Sequence, residues 1–319
     1  MISTTSEHAV PPMIVIPEWD LPEVPDLAVG DEAFVAAAGT AARTMPEQLH
    51  DALVGFADRA PDAGAMLLRG LPIGALPPTP PSPGTAEGKC RTSEFVLLAA
   101  ARRLAQPVGY LPEHGGDLVQ DLVPVQATAD RQVSTSSRVD LLFHTEAAFH
   151  PHRPRYLLLL CLRGDERALT TLASIRELMP VMRPDVVETL FEPRFRTAVD
   201  ESYLDGRPNR LGPPAPVLRG RREEPSMVFD ADLMVGIDEE ADEALRCLRD
   251  ATERHHTAVA LQAGDLLVVD NDVAVHGRTA YRPRFDGTDR WLQRSMAVCD
   301  LAPSAADRSG RIITTRFGG

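Results

Sequence analysis

The chain has few cysteines and no pattern among them. Cys90, Cys161, Cys247 and Cys299 are the 4 cysteines of 319 residues, and no two stand at Cys-x-x-Cys spacing, which excludes the common thiol-pair motifs. Cys161 and Cys299 lie in apolar, strand-like runs and read as small buried hydrophobes. Positive charge is also short. With 33 Lys and Arg against 46 Asp and Glu the formal net charge is −13, so a nucleic-acid backbone is not an expected partner. No uninterrupted apolar stretch reaches membrane-spanning length. Met1 to Val15 lacks the basic start and apolar core of a secretion signal. These absences point to a reduced, cytoplasmic protein with no membrane partner. What is present is ample apolar material, 44% of residues, enough for a sizeable core. The length allows one large domain or two modest ones, and no internal repeat is found.

Residues 1–27 are Pro-rich and read as a loose N-terminal arm or an edge strand around Met13 to Ile16. From Asp31 to Asp58 apolar residues recur at spacings of three and four, which predicts two helices divided at Pro46. Ala65 to Leu68 reads as a strand and Thr92 to Leu104 as a helix. The Pro-rich stretch from Ala75 to Gly88 between them suits an extended segment pinned to the surface better than a domain linker. Short strands are expected at Leu118 to Val123, Val139 to Phe143, Ala168 to Leu172, Leu266 to Val269, Val273 to Val275 and Trp291 to Val298. Tyr156 to Leu162 is apolar without interruption, as in a strand buried on both faces. Helices are expected at Ser174 to Met179, Asp185 to Leu190 and Glu239 to Ala260. Residues 205–226, rich in Gly, Pro and Arg, read as a long loop, either a mobile lid over a site or plain disorder. The fold class this implies is α+β: one domain with a closed or sandwich-like β core braced by helices.

The chemistry centres on Phe143-His144-Thr145-Glu146, because a His and a carboxylate two residues apart can hold one metal ion. Alone the pattern is weak, since 9 His in an acidic chain produce such pairs by chance. A second stretch supports it. Gly264 to Asp272 runs apolar into acidic turn residues, and His276 follows on the next apolar segment. Arg290 and Arg294 lie beyond it, four apart in a strand pattern, so their side chains share a face with Leu292 and Met296, with Cα atoms about 13 Å apart. Two unpaired cations facing a core imply anionic ligands, or protein acids such as Asp265 and Asp270 that neutralise them. His144, Glu146 and His276 together suggest the facial triad of a non-haem Fe(II) oxygenase, which leaves positions open for a bidentate oxo acid and dioxygen. A zinc site using the same histidines stays open, as does an ordinary core role for either ring.

This arrangement resembles the clavaminate-synthase-like, TauD-type branch of Fe(II)/2-oxoglutarate dioxygenases. The resemblance rests on Phe143 to His150, Arg153-Pro154 with the apolar run to Arg163, Gly264 to Asn271, and His276 through Arg294. Cys161 to Asp165, Val199 to Ser202 and Phe229 to Met234 carry a finer likeness to hydroxylases of free basic amino acids, the lysine hydroxylases first. It runs from about Met66 to the C-terminus. The resemblance implies a double-stranded β-helix (jelly-roll) core with flanking α-helices. It makes His144, Glu146 and His276 the Fe(II) ligands, and the carboxylate at 146 argues against a halogenase. It assigns Arg290, helped by Thr171, to the distal carboxylate of 2-oxoglutarate, and Arg294 to the substrate α-carboxylate. Glu113 falls at the α-amine, Asp200 and Ser202 in a substrate-lining segment, and Asp230 and Asp232 at acids that meet an ammonium or guanidinium. Two bland alternatives remain open: Asp232 or Asp238 as a helix cap, and Glu113 as a solvated loop acid. The expected activity is hydroxylation of an unactivated carbon of a free basic L-amino acid, L-lysine before L-arginine, consuming 2-oxoglutarate and O2. Desaturation or ring closure on the same scaffold, and a non-catalytic jelly roll binding metal and amino acid, are the rival outcomes; oligomeric state is not legible.

Overall fold

The computed structural model describes residues 10–204 and 206–317; part of the expected arm, and residue 205 of the expected loop, lie outside the described residues. The chain opens with β1 (Met13–Val15), the helices α1 (Glu32–Ala41) and α2 (Glu47–Asp58), β2 (Ala65–Arg69) and α3 (Thr92–Leu104). The middle contains β3 (Gln106–Tyr110), β4 (Gln120–Leu122), β5 (Leu141–His144), β6 (Tyr156–Arg163) and β7 (Thr170–Ser174), then α4 (Ile175–Leu178), α5 (Pro184–Leu190) and β8 (Phe195–Thr197). The last part holds β9 (Leu218–Arg221), β10 (Glu224–Met227), β11 (Met234–Gly236), α6 (Glu239–Arg254), β12 (Thr257–Val259), β13 (Leu266–Asp270), β14 (Ala274–Arg278), β15 (Trp291–Val298), β16 (Arg308–Ser309) and β17 (Ile312–Ile313). Nine strands form one sheet in the order β1-β2-β13-β6-β15-β3-β17-β16, with β4 paired to β15; four form a second, β12-β7-β14-β5.

The period-2 alternation of side chains sorts the core into layers. On β6, Leu158, Leu160 and Leu162 join the cluster under α1 to α3, while Leu157, Leu159 and Cys161 face the second sheet. On β13, Leu266 and Val268 point to the helices, and Leu267 and Val269 point inward. The uninterrupted apolar run of β6 is therefore what a strand between helices and another sheet requires. The second sheet is layered in the same way. Leu172 and Ala274 face the large sheet, whereas Ala173 and Val275 pack against the cluster that includes residues of α5 and α6. A β-rich core flanked by helices results, and the space between the sheets is where inward polar side chains meet.

Some expectations hold and others are revised. The visible part of the arm is not loose: Ile16 and Trp19 are buried, and β1 pairs in parallel with β2. The Pro-rich stretch is pinned, with the Thr79 N–H donating to Gly287 O at 2.8 Å and its hydroxyl to Asp289 O at 2.6 Å. Helix α6 stops at Arg254 rather than at 260, because Thr257 and Val259 are taken up by pairing with Leu172 and Thr170 of β7. Within 205–226 the chain folds back as the hairpin β9–β10, so this segment is not structureless. Cys299 is exposed, since the strand ends one residue before it.

Candidate active site

Strand pairing builds the metal site. β14 runs antiparallel to β5 with His276 directly opposite His144. Ala274, His276 and Arg278 alternate with Val275 and Gly277, and Ala274 faces the inter-sheet core, so His276 and Arg278 face it too. The two imidazole centroids are 4.3 Å apart. Gly277 lets the strands come this close, for a Cβ there would lie 2.5 Å from Leu141 O. Glu146 follows β5 on a turn whose next residue, Ala147, takes the left-handed φ of 52°. Its Oε2 lies 3.6 Å from His276 Nε2. One ligand atom from each of His144, Glu146 and His276 falls within 4.8 Å of the others, close enough for one ion to bridge all three.

The ring chemistry suits a metal. His144 Nδ1–H donates to Leu142 O at 2.9 Å, which leaves Nε2 with its lone pair. Burial first, then His144 and Arg294, push the His276 pKa well below that of an ordinary imidazole. His276 is therefore neutral at physiological pH, the form that binds metal. Asn271 fixes the carboxylate's backbone: its Oδ1 accepts from Glu146 N at 2.8 Å, and its Nδ2 donates to Glu146 O at 3.1 Å and Pro154 O at 2.9 Å. Replacing Asn271 by alanine should weaken metal binding by about 10- to 100-fold, the usual cost of losing an outer-shell support. Anaerobic Fe(II) titration of the variant measures this.

The triad opens into a cavity of about 690 Å3 between the sheets, whose lining includes every expected site residue except Thr171. The two arginines differ sharply. Arg294, on the inward face of β15 with Leu292 and Met296, is saturated by protein acids. Its Nη1 lies 3.1 Å from both Glu146 oxygens, its Nη2 3.1 Å from Glu113 Oε2, and its Nε 3.0 Å from Gln120 Oε1. Burial opposes its charge, but Glu113 and Glu146 outweigh that and leave its pKa above the ordinary value. Arg290, also buried, has no hydrogen bond or ion pair among the described residues. Asp265 and Asp270 do not neutralise either one; they pair with Arg69 and Arg155.

Strand alternation corrects the expected threonine. Thr170 lines the cavity, and its buried hydroxyl has no partner among the described residues, whereas Thr171 points to the other face, its Oγ1 against Gly277. A further cation, Arg278, also lines the cavity. It is held by the Ser136 and Val139 carbonyls, and burial, then the nearby Arg290, lower its pKa to about 10. Sequence reasoning missed it, although a residue two beyond His276 on a strand must share its face. For Gln120 no signal existed.

The acids fall into two groups. Burial raises the pKa of Glu113, Arg294 opposes the rise, and Glu146 and Asp200 add to it, so Glu113 is no solvated loop acid. Asp200 caps the short turn Glu201–Tyr203, accepting from Ser202 N at 2.8 Å. Asp230 sits by the metal side, bridged to His144 through the backbone. It and Asp232 are not alternate positions of an extended segment. They flank a turn in which Asp230 Oδ1 accepts from the N–H groups of Asp232 and Leu233 at 2.9 and 2.8 Å. Burial raises the Asp230 pKa, against His144. The cap of α6 is Asp238, which accepts from Ala241 N at 3.0 Å, so neither cavity acid is needed there. Of the hairpin-bearing segment, only Asn209 among the described residues reaches the cavity; residues 128–135 and 199–203 border it instead, joined by the Arg131–Glu201 ion pair.

Two imidazoles on paired strands and a carboxylate on the turn that follows, beside a buried guanidinium unpaired among the described residues, form the site of an iron- and 2-oxoglutarate-dependent oxygenase. Residues 34–296 match the taurine catabolism dioxygenase TauD, TfdA family, and the chain belongs to that family. It is 43% identical to the L-asparagine oxygenase of Streptomyces coelicolor over 286 residues, 87% of this chain and 84% of the relative. It is 39% identical to the L-lysine 3-hydroxylase of Catenulispora acidiphila over 291 residues, 89% and 81% of the two chains. A solved structure of asparagine oxygenase with Fe(II), (2S,3S)-3-hydroxyasparagine and succinate superposes with a TM-score of 0.84, at 40% identity, covering 89% of this chain and 90% of that one. Among the described residues no helix is long and apolar enough to cross a membrane.

Proposed function

We propose that the protein hydroxylates an unactivated side-chain carbon of a free basic L-amino acid, L-lysine before L-arginine, within a single catalytic domain whose facing sheets are a double-stranded β-helix. The carrying observation is the charge balance of the cavity. Glu146 would serve the metal and is paired with Arg294, as is Glu113, while Glu201 is paired with Arg131. Asp200, Asp230 and Asp232 remain on the wall with no cation paired to any of them among the described residues, and Asp230 and Asp232 are the two beside the metal side. Of these Asp230 is buried, and a buried unpaired carboxylate gains from a positive side chain, because desolvating an unpaired charge costs several kcal/mol. L-arginine is the second reading, since two carboxylates suit a forked guanidinium.

His144, Glu146 and His276 would hold the iron, which with 2-oxoglutarate and O2 supplies the oxidising power. The rest is the work of this chain's residues. Arg290 and the Thr170 hydroxyl would receive the distal carboxylate of 2-oxoglutarate, with Arg278 adding positive potential. Arg294 and Glu113 would exchange their mutual ion pair for the α-carboxylate and α-amine of the amino acid, with Asp200 and Ser202 closing that end. Asp230 and Asp232 would draw the cationic side chain across the metal, presenting one C–H bond. Oxidation then falls on a carbon fixed by the two charged ends. The test is a succinate-release screen over the free amino acids with Fe(II), ascorbate and 2-oxoglutarate. The expected result is a response to lysine, with arginine weaker, and a loss of that response in Asp230→Asn. A response confined to asparagine would refute the cationic-substrate reading.

A further inference from the structure

Two hydroxyls on the cavity wall are buried with no hydrogen-bond partner among the described residues, those of Thr170 and Tyr203. Thr170 stands at the co-substrate end. Tyr203 stands at the other, and nothing so far gives it a task. It is only 4% exposed. Its ring is set edge-on to Phe149 at 4.9 Å and 77°, and Tyr110 and Phe317 close on it at 6.2 and 6.1 Å. The phenol therefore has no room to swing out for water. Asp200 fixes the turn from which it projects, accepting from both the Ser202 N–H and the Ser202 hydroxyl. A buried hydroxyl that no described protein group satisfies must take its partner from what occupies the cavity.

The charged neighbours indicate which partner. Burial, then Glu113, raise the Tyr203 pKa, with Glu146 adding and Arg294 opposing, so the phenol stays protonated and can donate. The Arg294 donors are shared among Glu146, Glu113 and Gln120. An incoming carboxylate is thus met by a guanidinium already in use, and one further donor that brings no charge completes its shell. We propose that Tyr203 is a specificity-determining contact for the amino-acid head group, its O–H donating to the α-carboxylate received by Arg294. This rests on the amino-acid hydroxylase reading and deepens it. The contact selects a free carboxylate over an amide at the same carbon.

Tyr203→Phe deletes the hydroxyl and little else. With the Fe(II)-loaded enzyme and saturating 2-oxoglutarate, L-lysine, L-arginine and L-asparagine are compared with their C-terminal amides. For whichever amino acid the wild type turns over, KM should rise about ten-fold in the variant, the usual loss for one hydrogen bond to a charged group. kcat and the KM for 2-oxoglutarate should hold, and preference for the acid over its amide should shrink. The melting temperature of the ligand-free variant should hold, because no hydrogen bond to a described protein group is lost. An unchanged amino-acid KM in the variant, or a fall in its melting temperature, would overturn this inference alone. A wild type that turns over none of the three would overturn the hydroxylase reading, and this inference with it.

Discussion

Arg290→Ala should raise the 2-oxoglutarate concentration needed for half-maximal succinate release by about 100-fold, near the low end of what truncating one partner of a buried charge pair costs. The amino-acid requirement should move by little. The asymmetry follows from the cavity: Arg290 is a buried cation with no protein acid on it, while Arg294 is tied to Glu146 and Glu113. An incoming dianion gains most where charge is uncompensated. Because Arg290 makes no hydrogen bond among the described residues, its loss leaves no protein group orphaned, and the fold should keep its melting temperature. Steady-state titration of each substrate at saturation of the other decides it. A larger change in the amino-acid KM than in the 2-oxoglutarate KM would reverse the assignment of the two arginines.

His276→Ala should abolish metal-dependent succinate release, and His144→Ala should do the same. Three protein ligands are the minimum that this site offers, and two of them leave the ion weakly held. The stronger readout is thermal. The wild type should gain a melting-temperature increment with added Fe(II) under anaerobic conditions, since a ligand bound only by the folded state stabilises it, and the alanine variants should not. Without the metal the His276→Ala variant should melt close to the metal-free wild type, because His276 Nδ1 has no partner to lose among the described residues, whereas His144→Ala also gives up the bond to Leu142 O. Retention of most metal-dependent release in either variant would refute the triad.

Much of the fold was legible where one residue determines one direction. The uninterrupted apolar run of β6, the Pro46 break between α1 and α2, and the amphipathic pattern of α6 each reflect a local rule that the tertiary structure kept. Legibility failed where a partner strand overrode the local pattern: the end of α6 was taken by β7, and a segment read as loop closed into the β9–β10 hairpin. At the site, His144, Glu146 and His276 come together as spacing and resemblance suggested. The expected Thr171 turns away from the cavity and its neighbour Thr170 turns into it, because one residue along a strand is a change of face. Gln120 and Tyr203 were invisible because their relevance lies in what surrounds them, and no local pattern encodes that. The same holds for the contrast between a paired Arg294 and an unpaired Arg290 among the described residues, which depends on acids at 113 and 146, far away in sequence.

The pairing of His144 with His276 across β5 and β14 has one more consequence. Backbone hydrogen bonds of a sheet set the span between the imidazoles, and the Asn271 side chain locks the third donor's main chain. The ion therefore enters a ready-made socket, and little of its binding free energy is spent on ordering polypeptide. Iron lost through oxidation or chelation can then be replaced in the folded enzyme, so that inactivation by metal loss is a reversible event of exchange.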